Sequence, residues 1–104
     1  MARLAFKMKL FPGKEAEYKK RHDEIWPELK DLLKQTGVND YSIFLDSETL
    51  ILFAVLTIDN PKNMETLPQH PVMKKWWGYM QDIMESNPDS SPVSVSLNEV
   101  FYLK

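Results

Sequence analysis

His22 stands four residues after Tyr18 and five before Pro27, in the stretch "YKKRHDEIWPEL" at 18–29. A neutral imidazole can take or give a proton near pH 7. At helical spacing, Tyr18 and His22 share one face, a turn apart. Pro27 has no N–H to offer the carbonyl of Asp23, so a helix running through this stretch must kink or restart there. A kink opens space beside the helix, with His22 at its edge. The same histidine also continues an apolar stripe, where it could serve packing alone.

Other residues could join such a site. Trp76 and Trp77 are adjacent on a predicted helix and point about 100° apart. With Tyr79 nearby they could form a flat aromatic wall, which suits the C–H faces of a sugar and adds indole N–H donors. Both also fit a core stripe. Tyr41 opens a predicted strand and could turn its hydroxyl toward the first helix or simply pack. His70, just before Pro71, reads as a surface or capping histidine. Asp89, Ser90 and Ser91 in "NPDSSP" read as turn formers. The two histidines lack the spacing of a zinc motif, and there is no cysteine to complete one. Nucleophile-elbow, P-loop and dinucleotide-binding patterns are missing. With glycine only at 13, 37 and 78, a glycine-rich phosphate cradle is excluded.

The elements that must position these residues follow from periodicity. Residues 3–11 alternate, with Leu4, Phe6, Met8 and Leu10 on one face, and Pro12-Gly13 ends this strand. Residues 14–34 carry His22, Ile25, Trp26, Leu29, Leu32 and Leu33 at helical spacing. Gly37 suits the turn that closes that helix. A second strand spans 40–46, "DSET" forms a short hairpin connection, and a third strand spans 50–58. A second helical region covers 61–85, interrupted at Pro68 and Pro71, with Met73, Trp76, Trp77, Met80, Ile83 and Met84 on its stripe. The last strand is placed at 95–103. The order is β-α-β-β-α-β, an α+β ferredoxin-like domain over 1–104, with two helical regions on one face of a four-stranded antiparallel sheet. The third strand, "LILFAVLTI", is apolar on both faces, so the open face of the sheet needs a cover. A second copy of the chain is the simplest one, giving a homodimer with two sheets face to face. A ligand in a half-open groove is another.

Composition narrows the possibilities further. The chain has 104 residues, a net charge of −2 and both signs of charge spread along it. It offers no electrostatic footprint for nucleic acid or an anionic membrane. The N-terminus lacks a signal-peptide core, and no apolar run approaches the roughly 20 residues of a membrane helix. The absence of cysteine fits a cytoplasmic protein.

The chain as a whole resembles the L-rhamnose mutarotase family. The resemblance rests on "YKKRHDEIWPEL" at 18–29, "YSIFLD" at 41–46, "WWGYMQDIM" at 76–84, "NPDSSPVS" at 87–94 and "EVFYL" at 99–103. It implies a dimeric α+β barrel that interconverts the α and β anomers of L-rhamnopyranose without metal or organic cofactor. It also implies that His22 is the proton donor and that Tyr18, Tyr41, Trp76 and Trp77 contact the sugar. On this reading His22 acts as an acid at the ring oxygen, while a tyrosine hydroxyl, Asp23, Glu24 or water serves as base. Two other functions share the fold: a monooxygenase of the dimeric α+β barrel class, and a non-enzymatic ferredoxin-like binding module.

Overall fold

A computed structural model describes residues 2–104. Strand β1 (Ala2–Lys9) is followed by helices α1 (Glu15–Asp23) and α2 (Pro27–Gln35), then by strands β2 (Val38–Asp46) and β3 (Ile51–Ile58). Two short 3₁₀ turns, Pro61–Glu65 and Leu67–Gln69, lead into helix α3 (Pro71–Met80), and strand β4 (Val95–Leu97) comes last. The strands form one antiparallel sheet in the order β2-β3-β1-β4, the ferredoxin-like arrangement.

The alternation in β1 and β3 fixes the register. Leu4, Phe6 and Met8 stand opposite Leu56, Ala54 and Leu52 on the helix-covered face. There the buried core gathers Met8, Leu10, Leu29, Leu52, Trp76, Met80 and Ile83. On the other face lie Phe44 and Phe53, cross-strand partners that are 66% and 36% exposed.

The predicted first helix is two helices. Trp26 is extended (φ −61°, ψ 134°), as a residue before proline prefers, and Pro27 occupies the first turn of α2, where its missing N–H costs nothing. The polar α1 is held by charge. Glu15 and Glu17 sit in its first turn, Lys20, Arg21 and His22 in its last, and Glu17–Arg21 and Lys19–Asp23 pair four residues apart. Gly37 adopts φ +99° beyond the end of α2.

Two other expectations need correction. The second helical region does not run to 85, because α3 ends at Met80. Ile83 and Met84 are buried, but they lie alongside the end of β1, where the Phe11 N–H donates to the Ile83 carbonyl and Leu10 bridges Met84. The last strand pairs only over 95–97, not 95–103. Leu97 stands opposite Ala5, and the ladder stops there although Ala2–Leu4 of β1 continue. The tail instead places Glu99 3.6 Å from Arg3 and the Tyr102 ring beneath the Arg3 guanidinium. Among the described residues, no helix is long and apolar enough to cross a membrane.

Candidate active site

The last turn of α1 presents His22, and the helix itself fixes how. Its Nδ1 lies 3.0 Å from the carbonyl oxygen of Tyr18. A carbonyl only accepts, so Nδ1 carries the hydrogen and donates it. That leaves Nε2 as the nitrogen free to exchange a proton. The ring is half-buried, and burial holds its pKa below the usual 6.5, against the opposing pull of the Tyr18 carbonyl and the Asp23 charge. At pH 7 the imidazole is therefore neutral, with a lone pair on Nε2.

Aromatic rings enclose it. Tyr18 stacks on His22 with centroids 4.3 Å apart, and Trp76 meets it edge-on at 5.4 Å. A cavity of about 770 Å³ opens between the α1–α2 layer and the β2 side of the sheet, bounded by Tyr18, His22, Tyr41, Ile43, Leu52 and Trp76. Its size falls within the ordinary range for small-molecule sites, roughly 300–1,000 Å³. Burial pushes the Tyr41 phenol up to about 12 although 39% of the residue remains accessible. Burial, then the proximity of Tyr41, pushes the Tyr18 phenol up as well. Both phenols keep their protons and stay hydrogen-bond donors.

The structure thus brings Tyr18, His22, Tyr41 and Trp76 together. Trp77 faces a neighbouring cavity of about 540 Å³, with Asn87, Ser94 and Ser96. Tyr41 borders both spaces, so the two cavities share a wall. Of the carboxylates considered as bases, Asp23 lines the first cavity but is exposed and paired with Lys19 at 2.8 Å, and Glu24 does not line it. His70 caps α3: its Nδ1 accepts from the Val72 N–H at 3.2 Å. Asp89 accepts from the Ser91 N–H at 3.0 Å, which shapes the turn expected there. Among the described residues, no group of three or more His, Asp or Glu could hold a metal ion.

Sequence reasoning did not single out Trp26 and Arg21 as site residues. Trp26 meets Trp76 edge-on at 5.1 Å, and Arg21 reaches Asp82, 61 residues away. The tryptophan before a helix-breaking proline was a usable signal for the first. Nothing local signals the second.

Comparison with known proteins points to one family by sequence. A family model described as L-rhamnose mutarotase matches residues 3–103. The L-rhamnose mutarotase of Agrobacterium fabrum is 68% identical over 99 residues, covering 95% of this chain and 92% of that protein. The crystal structure of an L-rhamnose mutarotase from Formosa agariphila superposes with a TM-score of 0.93 at 53% identity, over 100% of both chains. An antibiotic biosynthesis monooxygenase is also similar, with a TM-score of 0.52 at 10% identity over 96% of this chain and 99% of that one. That likeness extends to the fold alone.

Proposed function

The chain belongs to the L-rhamnose mutarotase family, and from that premise we propose that His22 moves the proton by which the α and β anomers of L-rhamnopyranose interconvert. The chain is an isomerase acting on this sugar, and family membership decides against the monooxygenase and binding-module readings. The observation that carries the residue assignment is the Nδ1–H bond to the Tyr18 carbonyl, which leaves Nε2 uncommitted on a ring that lines the cavity.

One nitrogen is enough. Ring opening transfers a single proton from the anomeric hydroxyl to the ring oxygen, and both oxygens are bonded to the same carbon. Neutral Nε2 takes the anomeric proton, the bond from the anomeric carbon to the ring oxygen breaks, and the imidazolium returns the proton to the ring oxygen. The aldehyde turns about its bond to the neighbouring carbon and the steps reverse on its other face. His22 is thus base first and acid second, rather than acid from the start. Tyr18 and Tyr41 donate hydrogen bonds to sugar oxygens, and Trp76 lies against the ring's C–H face. Trp77 reaches the sugar only if it extends past Tyr41 into the second cavity. Ile43 and Leu52 offer an apolar seat for the 6-deoxy methyl group.

A second copy of the chain covers the open sheet face. Phe44 and Phe53 at one edge of that face, and Val95 and Leu97 at the other, are 66%, 36%, 51% and 37% exposed, with Lys7 and Ala5 between them; such apolar exposure favours a partner surface. A cysteine-free chain also suits the reducing cytoplasm.

His22→Ala tests the assignment. Anomer exchange followed by NMR saturation transfer should collapse while circular dichroism stays unchanged; wild-type exchange in this variant refutes it. For the dimer, Phe44→Glu should yield folded monomers in sedimentation velocity. A Phe44→Glu protein that sediments as the wild type does, or a wild type that is monomeric, removes that reading.

A further inference from the structure

We infer that Arg21 is a positioning residue for sugar turnover, acting on His22 and Trp76 through Tyr79 and Trp26. The inference rests on the placement of the sugar against His22 and Trp76.

Arg21 is the neighbour of His22 on α1, yet it serves the opposite side of the site. Its side chain is only 11% exposed. Nε donates to Glu17 at 2.7 Å, and the two terminal nitrogens fork onto Asp82 at 2.8 and 3.2 Å. One of them also donates to the Tyr79 carbonyl at 2.7 Å, and the guanidinium lies over the Tyr79 ring at 4.3 Å. A planar fork can hold all these partners at once; an ammonium cannot. From Tyr79 the contacts pass through rings. Tyr79 stacks on Trp26 at 5.5 Å, Trp26 meets Trp76 at 5.1 Å, and Trp76 meets His22 at 5.4 Å. The circuit leaves α1 at residue 21 and returns to it at residue 22.

The position of Trp26 shows why such a circuit matters. It lies in the extended break between α1 and α2, where its own conformation is set by Pro27 rather than by a helical ladder. Its ring is held between Tyr79 and Trp76. If Tyr79 loses its guanidinium anchor, Trp26 loses one side of that clamp, and the wall formed by Trp76 shifts against the sugar. Trp76 is the wall against which the sugar is proposed to bind, so its shift weakens sugar binding and shows in KM.

The decisive quantity is KM for L-rhamnose, since partial unfolding lowers only the amount of active protein and leaves KM alone. Arg21→Met should raise KM roughly tenfold, with tryptophan emission shifted to the red. Arg21→Lys, which keeps the charge but not the fork, should fail to restore either. Tyr79→Leu leaves the Arg21–Asp82 pair intact and should raise KM similarly; it decides the matter if the Arg21 variants do not fold. Wild-type KM in folded Arg21→Met, or in Tyr79→Leu when Arg21→Met cannot be obtained, overturns the inference. His22→Ala assayed in parallel separates the two levels. If it loses exchange while the Arg21 and Tyr79 variants keep KM, positioning alone fails. If it keeps exchange, the site reading fails, and this inference with it.

Discussion

His22 and His70 each commit Nδ1 to the backbone of their own helix, with opposite polarity. At the end of α1, Nδ1 of His22 gives its hydrogen to a carbonyl. At the start of α3, Nδ1 of His70 receives one from the Val72 N–H. His22 lies within its helix and reaches back one turn to a carbonyl, which only accepts. His70 precedes its helix and meets an unpaired N–H of the first turn, so the backbone group each ring meets selects the tautomer. His22 is left with a free lone pair on Nε2, inside a cavity. His70 spends its lone pair on the cap, beside solvent. Which backbone group a histidine's Nδ1 meets therefore goes far toward deciding whether it is available for chemistry.

The comparison breaks most visibly on truncation. His22→Ala should cost the roughly 10²–10⁴-fold that a positioned acid–base group contributes, about 3–5 kcal/mol of barrier. His70→Ala should leave saturation-transfer exchange within about twofold, since that ring only caps a helix. Next in size is the effect of pH. Exchange needs His22 neutral, so its rate should fall as pH drops through a midpoint below 6.5, the direction set by burial. A rate that climbs on acidification would instead make the imidazolium the resting catalyst. Stability follows the same linkage. Below pH 6.5 the unfolded chain protonates this histidine while the folded chain resists, so the contribution is full above 6.5 and is lost as pH falls toward the lowered native value. The smallest effect belongs to the cap. His70→Ala should destabilise by about 1 kcal/mol in urea titration, and His70→Asn should recover most of it.

Much of this was legible in the sequence because it depends on local chemistry. Alternation placed Leu4, Phe6 and Met8 on the buried face, since a strand's side-chain period is fixed. Pro27 announced a helix boundary, and the spacing of Tyr18 and His22 announced their shared face, on which the rings stack. The lost signals were those set by distant partners. Met80 ends α3 although Ile83 and Met84 continue the apolar stripe, because the end of β1 claims their backbone. Residues 98–103 have strand-like composition but find no ladder: β1 could pair with at most three of them, and Glu99 and Tyr102 engage the Arg3 side chain instead. The apolar stripe made Trp76 and Trp77 look equivalent, yet one turn angle sends them to different cavities. The polarity of His22 was hidden as well, since it depends on the ring turning back onto the Tyr18 carbonyl rather than outward.

Helix α1 buries a single residue, Tyr18, whereas α3 buries Trp76 and Met80. Its Lys19–Asp23 pair is exposed, and outside the Arg21 fork and the rings around His22 little apolar area resists its local opening. Fraying of these nine residues should be the cheapest excursion available to the helical layer. Sugar entry and escape can then ride on that excursion without loosening the sheet beneath. Amide protection over 15–23 would accordingly deepen when the cavity is filled, while that of α3 would barely change.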